Sequence, residues 1–367
     1  MALFIGLMSG TSLDGVDAVL AEIDAAGLST LGHCHHPFAP TLGAELAALN
    51  QPGDNELQRA ALAANSLARA YAEVATELLA GAGRQAKEVC AIGAHGQTVR
   101  HRPGEFDATG FTIQLLNGAL LAECSGIDVV CDFRARDVAA GGQGAPLVPA
   151  FHAQRFARVG QDVAALNLGG IANLTLLGAD GSVRGFDCGP GNGLMDLWCQ
   201  RWQGRPYDED GRWAASGRVD PGLLGALLAE PFFERAPPKS TGRDLFNAEW
   251  LGARLAGSTA PPADVMATLA ELTARGAADA LLHQAAASSA LVVCGGGAFN
   301  GHLMTRLAAL LPGVEVRSSA DSGVAPDQVE ALAFAWLAWN FVERRPVGLP
   351  AVTGARGARI LGCLYPA

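Results

Sequence analysis

The chain has 367 residues, of which half are hydrophobic and 17% are charged, so it can bury sizeable cores. This length exceeds the size at which a single core keeps growing and predicts two domains. The formal net charge is −10 with no run of Lys or Arg, which excludes a broad surface for nucleic acid or membrane. Apolar runs stay below the roughly 18 to 20 residues of a membrane span, and the eight cysteines show no C-x-x-C spacing. We therefore expect a soluble, cytoplasmic protein.

The first twenty residues predict a strand, a tight turn and a second strand. An apolar run reaches Gly6, breaks at residues 9–12 and then resumes. Successive amides in such a turn form a concave anion site, and Gly10 lets a ligand approach the backbone closely. Thr11 and Ser12 add hydroxyl donors. A plain polar β-turn explains the same residues, so the turn alone leaves both interpretations open.

Residues 22–39 predict further strand and turn, and they include the cluster His33-Cys34-His35-His36. We expect no metal site there, because no second cluster of ligands is evident and strand alternation would divide these side chains between two faces. Helical spacing follows over residues 43–79, with a break at residues 51–54.

Two predicted strands of the first half end in polar residues. The strand Val89–Ile92 runs into a turn with His95 and Gln97, and a later apolar strand runs into Arg134. Sheets of α/β proteins bind ligands beyond the carboxyl ends of their strands, so these three side chains are substrate candidates. A guanidinium fork suits a carboxylate or a phosphate. Alternatively, His95 bonds local backbone and Arg134 pairs with a neighbouring aspartate.

A break in composition divides the chain. Residues 139–149 combine several glycines with two prolines, which makes a helix or strand improbable and predicts a crossing between domains. We expect a first lobe made of residues 1–145 and 342–367, and a second lobe made of residues 146–341.

The second half repeats the opening pattern. Residues 163–177 predict a strand, a turn at Gly169 and Gly170, and a returning strand, so the two halves are expected to be structural repeats. A third strand, Val183–Asp187, ends at a Gly-Pro-Gly turn. A carboxylate in that position can act as a general base toward a bound hydroxyl or water, or it can cap the following turn.

Another buried strand, residues 290–294, is followed by Gly295–Gly297 and a helix, which makes these glycines and Asn300 nucleotide candidates. Glu330 lies near the start of the last long helix, where capping competes with a functional role. Polar connections are predicted at residues 204–220 and 231–244; in the latter, Lys239–Arg243 could touch a ligand, although such stretches are more often solvated. Other predicted elements are strands at 111–116 and 314–317, and helices at 117–124, 151–158, 221–228, 247–255 and 263–287.

Five motifs, taken together and in this order, strongly resemble the anhydro-N-acetylmuramic acid kinases. They are Gly6–Asp17, Ala94–Thr98, Asn167–Asn173, Gly185–Asn192 and Cys294–Asn300. That family belongs to the superfamily of sugar kinases, actins and heat-shock chaperone ATPases. The resemblance implies an α/β fold of two similar ribonuclease-H-like lobes, each of mixed sheet and helices, around an ATP cleft.

The resemblance also implies an enzyme of peptidoglycan recycling. Such an enzyme uses ATP, Mg²⁺ and water to open the 1,6-anhydro bond of a small amino sugar and to phosphorylate its 6-oxygen, and the family suggests a homodimer. Asp187 matches the catalytic base. The residues expected to bind ATP are Ser9, Gly10, Thr11, Ser12, Asn167, Gly169, Gly170, Gly189, Gly191, Asn192, Gly295, Gly296, Gly297 and Asn300. The residues expected to bind the sugar are Asp14, His95, Gln97, Arg134, which would meet the lactyl carboxylate, and Glu330.

Two positions depart from the expected pattern. Met8 stands where the wider superfamily has the Asp of its first phosphate loop, so the protein ligands of the metal are not predicted. Cys188 follows Asp187 where the family often has Thr, and we expect only a small change in packing. The alternatives are a kinase for another small sugar or acid, and a non-catalytic ATP switch of the actin or chaperone kind, for which no peptide-binding appendage is evident.

Overall fold

The buried strands of the protein follow the apolar runs of its sequence, because strands buried on both faces need continuous hydrophobic residues. A computed structural model describes residues 1–10, 13–242 and 244–367. The strands are β1 (Ala2–Met8), β2 (Gly15–Ile23), β3 (Leu28–Pro37), β4 (Val89–Ala94), β5 (Gln97–Pro103), β6 (Gly110–Leu115), β7 (Val129–Cys131), β8 (Val163–Leu168), β9 (Ile171–Leu177), β10 (Val183–Pro190), β11 (Ala290–Cys294), β12 (Glu315–Ser318) and β13 (Cys363–Tyr365).

Helices connect these strands. They are α1 (Pro40–Ala48), α2 (Glu56–Gly81), α3 (Gly118–Ser125), α4 (Ala135–Ala139), α5 (Val148–Phe156), α6 (Gly193–Gln203), α7 (Arg212–Ser216), α8 (Pro221–Leu228), α9 (Pro231–Glu234), α10 (Ala248–Arg254), α11 (Pro262–Ala285), α12 (Gly301–Leu310), α13 (Val329–Val342) and α14 (Pro350–Thr353). Short 3-10 helices occupy Ala86–Glu88, Glu209–Gly211, Gly296–Phe299, Ser319–Ser322 and Pro326–Gln328. Within the described ranges, no helix combines the length and the apolar character that crossing a membrane requires.

The chain divides into two compact units. The first unit comprises Met1–Phe151 and Gln328–Ala367, and the second comprises His152–Asp327. Helix α13 belongs to the first unit, because it packs on β1, β2 and β4. The lobes expected from the sequence placed residues up to 341 in the second half, so the two divisions differ in the position of this helix.

Both units are built on the same strand arrangement. In the first unit the sheet order is β3-β2-β1-β4-β7, with β13 added at the edge, and in the second it is β10-β9-β8-β11-β12. In each unit the first three strands form antiparallel hairpins, and the next strand pairs parallel to the first. The predicted structural repeat is therefore confirmed, as is the mixed α/β fold class.

The first unit brings α13 unusually close to its sheet. A Cβ atom added to Gly6 on β1 would lie 1.8 Å from the backbone oxygen of Ala331, and one added to Gly93 on β4 would lie 2.0 Å from that of Phe334. Only glycine allows a helix backbone to approach two neighbouring strands so closely. These two glycines fix the position of the helix that begins next to Glu330.

The second unit packs the long helix α11 against the turn that follows β10. The Thr273 hydroxyl donates to the backbone oxygen of Gly191 at 2.9 Å, and its side chain is buried. One turn further along, Gly276 leaves room for the carbonyl oxygen of Cys188, which would lie 3.2 Å from an added Cβ atom. Helix α11 therefore supports the residues on both sides of the Gly-Pro-Gly turn.

Most predicted elements are confirmed, but short ones were missed. Strand β5 was not predicted, α7 lies within the predicted polar connection 204–220, α9 lies within 231–244, and α5 begins at Val148 in a stretch expected to contain no helix. Short helices gain little from intrinsic propensity and depend on tertiary contacts, which periodicity does not show. In α7, for example, the Asp208 carboxylate accepts hydrogen bonds from the amides of Trp213 and Ala214, both at 2.9 Å.

Candidate active site

In the first unit, the buried His95 and the partly buried Arg134 and Glu330 form one cluster. Arg134 follows β7, and its Nε and Nη2 atoms donate to His95 Nε2 at 3.1 and 3.0 Å, while Nη1 donates to the Gly144 oxygen at 2.9 Å. Burial, reinforced by the Arg134 charge, lowers the pKa of His95 to about 3, so the ring is neutral. Its Nδ1 atom therefore carries the proton and faces the Ser9 oxygen at 3.3 Å. Since both ring nitrogens are engaged, His95 holds the Arg134 side chain in position.

The carboxyl groups of this cluster affect one another. Burial raises the pKa of Glu330, the Arg134 charge opposes this rise, and the charges of Asp17 and Asp14 add to it. Asp14 is exposed and accepts a hydrogen bond from the Gly15 amide at 3.1 Å. Glu330 therefore lies within electrostatic reach of one arginine and of two further acids.

The turn after β1 is tied to the turn after β4. Ser9 is fully buried, and its hydroxyl pairs with the Tyr71 hydroxyl at 2.8 Å and donates to the Gly96 oxygen at 3.1 Å. Gln97 Nε2 donates to the Gly10 oxygen at 3.1 Å, whereas its Oε1 atom is buried with no partner among the described residues. The Ser9 hydroxyl thus supports the turn from inside, and Gln97 offers an acceptor to a ligand. The predicted ligands Thr11 and Ser12 lie outside the described residues.

In the second unit, Asp187 lies near the end of β10, where the register of its pairing with β9 shifts. The Thr241 amide donates to Asp187 Oδ2 at 2.9 Å. Burial raises the pKa of Asp187 to about 6, and the Thr241 hydrogen bond partly opposes this rise. A desolvated carboxylate whose pKa is close to the working pH is suited to general-base catalysis.

The glycines predicted to bind nucleotide have two different roles. Gly169 and Gly296 have open space around them, with no atom closer than 3.7 Å to an added Cβ, and Gly170 is exposed. At the others, an added Cβ would collide with neighbouring atoms of the same unit, so these glycines serve close packing; they are Gly189, Gly191, Gly295 and Gly297. Only the first group leaves open space beside its backbone, which a ligand could approach closely.

Three asparagines hold these turns together. The Asn192 amide donates to the Gly169 oxygen at 2.7 Å, and its Nδ2 atom donates to the Leu168 oxygen at 2.9 Å. Asn167 lies against the turn after β11, since its Oδ1 atom would be 2.4 Å from a Cβ atom added to Gly295. Asn300 caps α12, because its Oδ1 atom accepts from the Leu303 amide at 2.9 Å. The structure therefore brings the turns after β8, β10 and β11 together.

A cavity of about 460 Å³ lies between α11 and α12 in the second unit. Its rim carries Arg275 and Arg306, which both bind the buried Glu271 carboxylate with Nε–oxygen distances of 2.8 Å. His302, in the first turn of α12, also lines the cavity. This ion-pair network joins α11, which precedes the turn at Gly295–Gly297, to α12, which follows it.

The three histidines of the cluster on β3 each lie beside a carboxylate group. His35 Nδ1 lies 3.0 Å from Asp17 Oδ1, His33 Nε2 lies 3.5 Å from the same oxygen, and His36 pairs with Glu77. No group of three or more His, Cys, Asp or Glu residues in the described part of the chain has the arrangement of a metal site.

Sequence reasoning missed the contact between Asp187 and the segment around Thr241, and it missed Asp17 as a neighbour of Glu330. The motif containing Asp17 gave a signal, since two acids follow the first turn in Asp14-Gly-Val-Asp17. The Thr241 contact joins residues 54 positions apart, and no local pattern predicts it.

The pKa of Asp187 predicts how activity depends on pH. A general base must be ionised, so we expect kcat/KM to rise with pH through about 6 and to level off above it. Steady-state assays from pH 5 to 8 measure this limb, and ATP binding over the same range is the control. A limb near the ordinary aspartate value of about 4 would contradict the assignment.

Two mixed sheets of the same strand order, with glycine-rich turns at the strand ends, define an α/β protein built from two similar units. A solved structure with this fold is the activator of the 2-hydroxyisocaproyl-CoA dehydratase from Clostridium difficile with bound ADPNP. It matches with a TM-score of 0.50 and 12% identity, over 93% of this chain and 96% of that chain. At this identity the likeness shows the fold alone.

The family model described as anhydro-N-acetylmuramic acid kinase matches residues 2–367. A relative of that name from Variovorax paradoxus (strain S110) is 61% identical over 371 residues, which cover 100% of this chain and 99% of the relative. Another of that name, from Chromobacterium violaceum, is 52% identical and covers 99% of each chain. The chain belongs to the anhydro-N-acetylmuramic acid kinase family and is an ATP-dependent sugar kinase. The resemblance found in the sequence is confirmed, and a non-catalytic ATP switch is not favoured.

Proposed function

We propose that the protein couples hydrolysis of the 1,6-anhydro bond of anhydro-N-acetylmuramic acid to phosphorylation of the sugar by ATP. Asp187 takes a proton from a water molecule as that water attacks the anomeric carbon. The bond from this carbon to the 6-oxygen breaks, and the released 6-oxygen attacks the γ-phosphorus while ADP leaves. The products are N-acetylmuramic acid 6-phosphate and ADP. The observation that carries this proposal is the partly buried Asp187 carboxylate at the end of β10, which the Thr241 amide holds at 2.9 Å and whose pKa is raised to about 6.

The phosphates of ATP are proposed to lie against backbone amides. Gly169, Gly170 and Gly296 offer open or exposed backbone in the second unit. The turn at Gly10 is proposed to meet the phosphates from the first unit. Mg²⁺ is proposed to accompany ATP. It retains several waters and binds phosphate oxygens, so ATP itself would supply several of its ligands. When bound, it would neutralise charge on the phosphates.

The sugar is proposed to bind the cluster of the first unit. The Gln97 Oε1 atom is buried without a partner among the described residues, and a sugar hydroxyl or amide would satisfy it. Arg134, held by His95, is proposed to meet the lactyl carboxylate, and Glu330 and Asp14 to accept hydrogen bonds from hydroxyls. A cytoplasmic homodimer is proposed from the family resemblance, and light scattering in solution tests its mass.

The direct test of the proposed function is the dependence of ATP turnover on the sugar. We expect ADP to form rapidly with anhydro-N-acetylmuramic acid and only at a background rate with ordinary hexoses or without sugar. Mass spectrometry should show one oxygen from labelled water at the anomeric carbon. Equal turnover with a hexose would favour a kinase for another sugar, and sugar-independent ATP hydrolysis would favour an ATP switch.

A further inference from the structure

The segment Lys239–Gly242 holds Asp187 at two points. The Asp187 amide donates to the Lys239 oxygen at 3.1 Å, and the Thr241 amide donates to Asp187 Oδ2 at 2.9 Å. The first bond fixes the backbone at the end of β10, and the second fixes the carboxylate. The sequence favoured a solvated loop for this segment. In the structure, Lys239, Thr241 and Gly242 are partly buried.

The side chain of Lys239 anchors the segment on α9. Its Nζ atom donates to the backbone oxygens of Phe232 and Phe233 at 3.1 and 3.2 Å, and it lies 4.6 Å from the centre of the Phe232 ring. Carbonyls near the C terminus of a helix lack intrahelical donors, and a cation that binds them is stabilising. The aromatic ring adds a cation–π contact. Lys239 is therefore held in place by α9 while its own carbonyl holds Asp187.

We propose that Lys239 and Thr241 are positioning residues for the general base, an inference that rests on the function proposed for Asp187. Lys239 sets the path of the segment, and the Thr241 amide occupies Oδ2. Oδ1, which accepts no hydrogen bond from the described residues, is then the oxygen that takes the proton from water. In this arrangement the acting part of Thr241 is its backbone N–H.

The hydrogen bond from the Thr241 amide can be measured through its effect on the pKa of Asp187. Burial raises the pKa of Asp187, and the Thr241 hydrogen bond is the group that opposes the rise. Cys188 stays a neutral thiol, because burial and the Asp187 charge both raise its pKa. Lys239 faces Cys188 and Arg235, and burial lowers its pKa. Loss of the Thr241 N–H should therefore raise the pKa of Asp187.

The test compares two substitutions at one position. Thr241→Pro removes the N–H group, whereas Thr241→Ala keeps it and removes only a hydroxyl that is buried without a partner among the described residues. In a plot of kcat/KM against pH, we expect Thr241→Pro to shift the rise on the acid side, the acid limb, to higher pH by about one unit. We also expect kcat at its high-pH plateau to fall at least about tenfold. We expect KM for ATP to stay unchanged in both variants, and Thr241→Ala to keep the limb of the parent protein.

Lys239→Met provides a second route if the proline variant does not fold. It keeps the length of the side chain and removes the donors to α9, so the limb should shift in the same direction by a smaller amount. The inference would be overturned if the acid limb of kcat/KM did not move in either Thr241→Pro or Lys239→Met. It would also be overturned if Thr241→Ala moved the limb as far as Thr241→Pro does. Asp187→Asn separates the two levels: substantial turnover in that variant sinks the assignment of Asp187 as the base, whereas loss of turnover together with an unmoved acid limb in Thr241→Pro and Lys239→Met sinks only the positioning role.

Discussion

Asp187→Asn is expected to abolish sugar-dependent ATP turnover while ATP still binds. The amide has the same shape and keeps an oxygen for the Thr241 N–H group, so the end of β10 should stay in place. It cannot take a proton from water at neutral pH. General-base catalysis contributes roughly 10² to 10⁴ in rate, so kcat should fall by at least that range. Release of ADP measures turnover, and calorimetric titration measures the affinity for ATP.

Asp180→Asn is the matched control for this substitution. Asp180 lies in the exposed turn between β9 and β10, where its carboxylate accepts from the Ser182 amide at 2.8 Å. Asparagine supports the same turn, so activity and affinity should stay close to those of the parent protein. If Asp187→Asn kept substantial turnover, another residue would have to be the base.

Gly6→Ala is expected to cost the protein both stability and activity. The added methyl group would lie 1.8 Å from the Ala331 oxygen and 2.8 Å from the Ala335 nitrogen, which are backbone atoms that cannot rotate away. Overpacking of this kind costs about 1–3 kcal/mol and sometimes more. For a unit of this size, that lowers the melting temperature by roughly 2–12 °C. Because α13 must move away from the sheet, Glu330 at its start should be displaced, and KM for the sugar should rise.

The control for that substitution is Gly81→Ala. Gly81 is the last residue of α2, has ordinary backbone angles, and has no atom within 4 Å of an added Cβ. Alanine is favoured over glycine in helices, so the melting temperature should stay the same or rise slightly. Thermal unfolding followed by circular dichroism compares the two variants. An unchanged melting temperature for Gly6→Ala would mean that α13 does not rest on β1 as described.

The repeat of strand, glycine-rich turn and strand was predictable because it depends on local hydrophobic patterns. The same holds for Asp187, whose place at a strand end before Gly-Pro-Gly is visible in the sequence. The contact with Thr241 was not predictable, because it depends on how a connection of irregular structure returns to β10. The direction in which individual side chains point was also not predictable from the sequence. Ser9 was expected to face a ligand, yet its hydroxyl points to Tyr71 on α2, and only tertiary packing decides this.

The pairing of His95 with Arg134 has a consequence for selectivity. The guanidinium group is partly buried and is held on two sides by hydrogen bonds, so binding an anion there costs little side-chain entropy. A sugar without an anionic group would leave the guanidinium hydrogen-bonding capacity that faces the substrate unused, and a polar group left unpaired is penalised more strongly than a lost apolar contact. If the lactyl carboxylate meets Arg134 as proposed, the enzyme would choose its substrate chiefly by rejecting neutral sugars.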